Sequence, residues 1–238
     1  MFEDVSNLYD RASETYDERF TRPIDRAEDE WVRAKCAPLT RLNTSKAGFN
    51  PQVLDLGCGT GWLLDQVKCI PPSRYLGLDI SKGMISQAVS KYPDYNFGVE
   101  DMAATKEPTH YYDSVISTYG ALSYHEYPEH CALEIGRVLK PGGRFLVMAY
   151  GPSYRHRHTY IMRDKNSRLQ FYTSEKLKAL FPWAEGVKVQ GLNGFSESFK
   201  NSRFVGSILR FEAATIGRFA PDLCYSLVIT GRKPCPKE

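Results

Sequence analysis

Apolar residues recur along this chain in two different rhythms. Over residues 4–20, Leu8, Ala12, Tyr16 and Phe20 fall at helical spacing. Ile24, Ala27, Trp31, Ala34 and Leu42 do the same over 24–42, so two helices are predicted to precede the core. From residue 52 short apolar runs alternate with amphipathic stretches. The runs at 52–57 (QVLDLG), 74–80 (RYLGLDI), 95–101 (YNFGVED), 112–118 (YDSVIST) and 143–150 (GRFLVMAY) predict strands. A helix opens at 62–68 (WLLDQVK). A second spans 81–92, with Ser81 as N-cap and Pro93 helping to end it. A third spans 129–140 and is stopped by Pro141-Gly142-Gly143. Strands separated by helices predict an α/β fold with a parallel, doubly wound sheet.

The last third is less regular. A helix is predicted at 173–181, and strands at 187–193 and 224–233. Between those strands, about 198–220 reads as a helical insertion. Its Phe204, Ile208, Phe211, Thr215 and Phe219 share one face, and this stripe, with Phe199, is expected to pack as core rather than to cover an apolar substrate.

Candidate chemistry begins at VLDLGCGTGWLL, residues 53–64. Gly57, Gly59 and Gly61 stand between a strand and a helix. Glycine there allows positive φ and close approach of a ligand, and the turn amides and helix N-terminus would offer hydrogen-bond donors to a carboxylate or phosphate. A glycine triplet alone is a weak signal. Asp79 strengthens it, because it ends the second strand 18 residues past Gly61, where Rossmann-type sites place an acid for both ribose hydroxyls. Asp101, beside the apolar Met102 after the third strand, suits an adenine amine and ring. Asp55 is placed to orient the loop or to meet a cationic amine.

Taken in order, VLDLGCGTGWLL, LGLDIS, VEDMAA, YDSVIST and IGRVLKPGGRFLVMAYG resemble the class I, Rossmann-like methyltransferases that use S-adenosylmethionine (SAM), of the small-molecule type. The resemblance covers about 50–151. The N-terminal YDRASETYD also resembles the helix that many small-molecule members fold over SAM. The resemblance implies a seven-stranded, mostly parallel sheet with its last strand antiparallel. It implies one domain over 1–238: a helical lid at 1–45, a SAM-binding core at 50–151, and a substrate-side region at 152–238 carrying the insertion. It also implies a cofactor site. Asp55, Gly57 and Gly59 line the methionine moiety, Asp79 holds the ribose, and Asp101 and Met102 hold the adenine; Cys58, Ile80 and Met84 complete the cofactor-binding set. Tyr9, Tyr16 and Asp17 come from the lid, and Ser117 and Tyr119 from the end of the fourth strand.

Methyl transfer requires the acceptor in line behind the sulfonium methyl, and positioning alone supplies much of the rate. The loop after the fourth strand, 117–130, is the expected acceptor side, with Tyr119, Ser123, Tyr124 and His125. His125 and Tyr124 are the catalytic candidates, His125 as a base because histidine titrates near neutral pH. Support of the helix that follows is the competing role for His125. A second patch at 148–164 holds Tyr150, Tyr154, Arg155, His156, Arg157 and His158. It reads as a solvated loop ahead of an anion-binding wall, and two histidines two apart make a weak metal site, so no metal is expected.

Bulk properties narrow the class. The chain has 238 residues, 42% hydrophobic and 25% charged, which suits an ordinary globular α/β protein. A net charge of +3 gives no sign of nucleic acid or an anionic membrane as partner. The six cysteines show no CxxC pair and are expected to be reduced thiols in the cytoplasm. No apolar run spans a bilayer, and the charged N-terminus resembles neither a signal peptide nor an anchor.

A nicotinamide or flavin enzyme would show G-x-G-x-x-G, whereas Trp62 stands at the third position here. An amino-methylating nucleic-acid enzyme would carry Asn/Asp-Pro-Pro-aromatic after the fourth strand, where this chain has STYGALSY. The expectation is methyl transfer from SAM to an oxygen, nitrogen or carbon of a small molecule. Cleavage or cyclisation of SAM itself, a protein acceptor, and SAM binding without catalysis stay open, as does the oligomeric state.

Overall fold

The apolar runs pair into one seven-stranded sheet of order β3-β2-β1-β4-β5-β7-β6 in the computed structural model, which describes residues 2–40, 51–67, 70–153 and 169–236. The strands are β1 (Val53–Leu56), β2 (Tyr75–Asp79), β3 (Asn96–Val99), β4 (Tyr112–Ser117), β5 (Leu139–Tyr150), β6 (Glu185–Leu192) and β7 (Ser226–Arg232). Neighbours from β3 to β5 are parallel, and β7 runs antiparallel to both β5 and β6. This is the architecture expected of a doubly wound sheet with its last strand reversed.

The alternation of side chains sorts the core onto two faces. Leu54, Val115, Phe145, Val147 and Ile229 bury with α6 (Pro128–Val138) and α7 (Ser174–Ala179). Val53, Ile116, Leu146, Met148 and Val228 bury on the other face with α2 (Pro23–Thr40), α3 (Trp62–Gln66) and α8 (Val205–Ala214). The order reverses between β1 and β4, so the C-terminal ends of those strands open a crevice, the usual ligand position in such sheets.

The N-terminal stretch is not one helix over 4–20. It is α1 (Phe2–Ala12) followed by two 3-10 turns at Ser13–Thr15 and Asp17–Arg19. Ser13 Oγ donates to the Asp10 carbonyl at 2.9 Å, a local bond that competes with helix continuation. The segment is tied to the sheet side at long range. Asp10 Oδ1 accepts from Ser81 Oγ at 2.5 Å and Gly83 N at 2.8 Å, at the start of α4 (Lys82–Lys91). Ser81 also caps α4, accepting from Met84 N.

Two other boundaries moved. The third helix ends at Val138, and Leu139 already pairs with Tyr112, so Pro141-Gly142-Gly143 lies within β5 at a register shift. The insertion breaks at Thr215 into α8 and α9 (Ile216–Phe219). Its phenylalanine stripe is not core. α8 buries Val205, Leu209 and Ala213, while Phe204, Phe211 and Phe219 are 58%, 70% and 80% exposed. Both sides of α8 carry apolar residues, and spacing alone does not say which one packs.

No helix among the described residues is long and apolar enough to cross a membrane. The five cysteines among them, 36, 58, 131, 224 and 235, are free thiols. The basic stretch from Tyr154 to His158 lies outside the described residues.

Replacing Asp10 by alanine removes two hydrogen bonds to a carboxylate, a loss of about 1–3 kcal/mol in the docking of α1. Amide exchange over residues 2–12 should then quicken while the sheet stays protected; unchanged exchange would place the anchor elsewhere.

Candidate active site

The crevice at the β1, β2 and β4 ends forms one cavity of about 370 Å³, a size that accommodates a small ligand. Its floor is the turn after β1. Gly57 and Cys58 both donate backbone N–H to the Leu78 carbonyl, at 2.7 and 3.0 Å, and Gly59 N donates to Asp79 Oδ2 at 2.9 Å. The amides of Gly57, Cys58 and Gly59 are therefore spent on β2 rather than offered to a phosphate or carboxylate, contrary to the expectation for these three residues. The three glycines also differ in purpose. A Cβ at Gly57 (φ +69°) would lie 2.4 Å from Ala121 Cβ, and one at Gly61 (φ +92°) 2.8 Å from the Tyr92 ring. A Cβ at Gly59 (φ +54°) would meet nothing within 4 Å, so here the backbone faces open space.

Most of the expected cofactor residues meet in this cavity. Gly57, Cys58 and Gly59 line it from the turn, and Asp79, Ile80 and Met84 from β2 and α4. Asp101 and Met102 line it from the stretch after β3, Tyr119 from beyond β4, and Tyr9, Tyr16 and Asp17 from the N-terminal segment. Asp17 closes onto the turn, accepting from Thr60 Oγ1 at 2.6 Å and pairing with Lys91 at 2.8 Å. Asp79 is gripped by the amides of Gly59 and Ser81. Burial still raises its carboxyl above the ordinary value, against the lowering effect of those amides.

Two expected residues stand outside. Ser117 is fully buried, its Oγ without a partner among the described residues, and strand alternation gives the cavity Thr118 instead. Asp55 lies behind the turn. Its Oδ2 accepts from Tyr75 OH at 2.9 Å, and its Oδ1 is buried without a partner among the described residues. Burial pushes this carboxyl up to about 7, with nearby Asp79 adding to the rise and the Tyr75 bond opposing it.

The expectation of His125 as a base is corrected by its hydrogen bonds. Nδ1 accepts from Tyr127 N at 2.9 Å, which places the ring proton on Nε2, 2.9 Å from Asp101 Oδ1. A neutral imidazole so arranged has no lone pair left for an acceptor's proton. His125 instead positions Asp101. Burial raises the Asp101 carboxyl, but the bonds from His125 and Ala103 N outweigh it and hold the group below the usual range. Tyr124, the other catalytic candidate, is an aromatic wall: its ring stands edge-on to Tyr9 at 5.5 Å and Tyr150 at 6.1 Å.

The far side of the cavity was not foreseen. Asp25, Glu28 and Asp29 of α2 line it, with Trp62, Tyr119 and Tyr150. Asp29 Oδ1 accepts from Trp62 Nε1 at 2.8 Å and from Tyr119 OH. Burial raises its carboxyl despite both bonds. Tyr119 reaches it from φ +52°, a sparsely populated conformation for a tyrosine, and Tyr150 OH steadies it by donating to the Tyr119 carbonyl at 2.9 Å. Charges on α2 resemble any solvated helix face; the one usable signal is that Asp25 and Asp29 share a face with the apolar Val32. Among the described lining residues Arg22 is the sole lysine or arginine, and Asp25 binds it through both carboxylate oxygens.

Asp55 ties this site to the pH dependence of stability. Folded Asp55 keeps its proton up to about pH 7, whereas unfolded it loses it near the ordinary 3.8. The folded state therefore binds more protons over that window, and stability falls as pH rises from about 4 to about 7. Asp55→Asn removes this slope. Denaturant titrations at several pH values should show the variant gaining on the natural chain by a few kcal/mol across the window and by no more above it. Parallel pH profiles would mean that Asp55 ionises at its ordinary value.

Comparison with known proteins agrees with this geometry. Residues 53–143 match the model of a methyltransferase domain family. The malonyl-acyl-carrier-protein O-methyltransferase of Hahella chejuensis is 32% identical over 108 residues, 44% of this chain and 38% of the relative. The demethylmenaquinone methyltransferase of Symbiobacterium thermophilum is 30% identical over 154 residues, 60% of this chain and 58% of the relative. The chain thus spans less than two thirds of the length of either. Among solved structures, Haemonchus contortus phosphoethanolamine N-methyltransferase 2, in complex with S-adenosylhomocysteine, superposes with a TM-score of 0.66. It is 18% identical, and the match covers 98% of this chain and 59% of that one, a likeness of fold. Motif order, strand order and family match converge: residues 53–143 form a methyltransferase domain of the class I, Rossmann-like kind, whose cofactor is S-adenosylmethionine.

Proposed function

We propose that this chain transfers the methyl group of SAM to an oxygen, nitrogen or carbon of a small-molecule acceptor, releasing S-adenosylhomocysteine. The observation that carries the reading is the sign of the cavity. Among the described residues carboxylates line it from several elements, the amides of Gly57, Cys58 and Gly59 are bonded to β2, and the one guanidinium, that of Arg22, is paired with Asp25. Such a wall rejects a pyrophosphate and favours a cation.

The residues present fit SAM. Gly59 leaves the space for close backbone approach. Asp79 is buried at the β2 end, where its remaining lone pairs meet ribose hydroxyls. Asp101 uses Oδ1 for His125 and Ala103, and its Oδ2 takes no bond among the described residues, which suits an adenine amine against Met102. Tyr9, Tyr16 and Tyr124 supply aromatic faces for a positive charge. Bound there, SAM supplies an electrophilic methyl on a sulfonium.

The acceptor is assigned to the opposite end, between Trp62, Tyr119 and Asp29. Asp29 replaces His125 as the group that takes a proton from an O–H or N–H acceptor, since it lines the cavity beside Trp62 and Tyr119 and partial burial raises its carboxyl above the ordinary value. The relatives named above act, by their names, on a malonyl thioester carrier and a demethylated menaquinone. Both are compatible with a mixed aromatic and acidic wall, and neither is singled out by it.

The test uses SAM with a deuterated methyl group, incubated with the protein alone and with metabolite extract, and mass spectrometry of all products. A labelled small molecule appearing with S-adenosylhomocysteine is the expected result. Methylthioadenosine from protein alone would make SAM the substrate and overturn methyl transfer. With an acceptor in hand, Asp29→Asn should lower turnover by about 10²–10⁴-fold while SAM affinity, by calorimetry, stays close to that of the natural chain. Equal losses in both would assign Asp29 a structural role.

A further inference from the structure

The insertion between β6 and β7 turns large aromatic side chains to solvent. Phe195, Phe204, Phe211, Phe219 and Leu223 are each more than half exposed, and Phe199 is 39% exposed. Scattered exposed hydrophobics are ordinary, but five phenylalanines within residues 195–219 are not. They do not fill the core, because α8 meets it through Val205, Leu209 and Ala213 on its other side.

The charges of the same segment are sorted. Its acids are turned inward or engaged. Glu212 is buried and accepts from the amides of Phe195 and Ser196 at 2.7 and 2.9 Å, Asp222 accepts from Ser174 N at 2.6 Å, and Glu197 pairs with Arg22. Its cations, Lys200, Arg203, Arg210 and Arg218, are all exposed; Lys200 lies 3.9 Å from Glu197 and Arg210 3.6 Å from Glu30 of α2. Two of them stand against the rings themselves, with the Arg203 guanidinium 4.7 Å from the Phe204 centroid and that of Arg218 5.5 Å from Phe219. A ring sunk among acyl chains with a guanidinium beside it holds that cation at phosphate level. This is the chemistry of an interfacial helix on an anionic bilayer. The segment's four cations and three acids nearly balance, so it is the outward placement of Arg203 and Arg218, not its net charge, that makes this surface positive.

We infer that residues 195–223 form a docking surface for an anionic membrane surface, the phenylalanines entering the headgroup boundary and the arginines pairing with lipid phosphates. The segment also adjoins the cavity, since the Arg22 that lines it is the partner of Glu197. Docked in this way, the protein holds its cavity close to lipid-soluble compounds.

The test is co-sedimentation of the full chain with vesicles of phosphatidylcholine alone and of phosphatidylcholine mixed with phosphatidylglycerol. Partition should be about tenfold or more higher on the anionic vesicles and should fall with added salt. Phe211→Glu with Phe219→Glu should abolish it, with thermal melting unchanged because both rings are exposed. Arg203→Gln with Arg218→Gln should reduce the preference for the anionic lipid. Absence of binding to anionic vesicles would overturn the inference, as would binding that survives the phenylalanine substitutions. A dimer in solution that those substitutions dissolve would assign the patch to a second copy instead. Vesicle binding needs no methyl acceptor, so its failure and a failure of the proposed activity are separate results.

Discussion

The site depends on how the turn after β1 closes against β2. Two amides converge on the Leu78 carbonyl and a third on the Asp79 carboxylate, and this bonding decides the polarity of everything above the turn. Had those N–H groups pointed outward, the crevice would have been an anion cradle of the dinucleotide kind. Turned inward, they leave carbonyls and carboxylates as the exposed surface. Gly57 and Gly61 are required by the same closure, because a side chain at either would collide with Ala121 or Tyr92. Asp79 then serves two functions, fastening the turn and presenting an acid to the cavity, and Ser81 and Asp10 extend the fastening to α4 and α1.

On this foundation the two ends of the cavity are built differently. At one end the polar groups are held by backbone and by His125, a fixed array around Asp79 and Asp101. At the other, Asp29, Tyr119 and Trp62 hold one another through side chains carried on α2, the loop after β4 and α3. The carboxyls of half-buried Asp29 and Asp79 and of buried Asp55 all have raised pKa values, and desolvation is the leading cause in each. They are costs to the fold that a bound cation would offset.

Much of this was legible in the sequence, because period and glycine placement report backbone geometry directly. All seven strands, the Ser81 cap and the strand-end positions of Asp79 and Asp101 follow from that signal. What depended on tertiary placement was not legible. Ser117 and Thr118 differ by one residue, yet alternation puts one in the core and the other in the cavity. His125 titrates in the right range, but its two bonds, to a backbone amide and to Asp101, are set by a loop conformation that carries no periodic mark. On α8, apolar residues occupy both sides, and the choice of buried face is made by α2 and β6. The acids of α2 resemble a solvated helix until α3 and the loop after β4 close over them.

The separation of the two ends has an evolutionary consequence. In the proposed assignment the adenosyl end draws its acids and glycines from residues 57–102, inside the stretch that matches the family model. The proposed acceptor end adds α2 and Tyr150, outside that stretch, to Trp62 and Tyr119. On that assignment, substitutions on α2 can redraw which compound is accepted without touching the glycine turn, Asp79 or Asp101. Acceptor chemistry in such a scaffold is free to diverge among paralogues that remain recognisable by their shared half, and likeness over that half is a poor guide to what each one modifies.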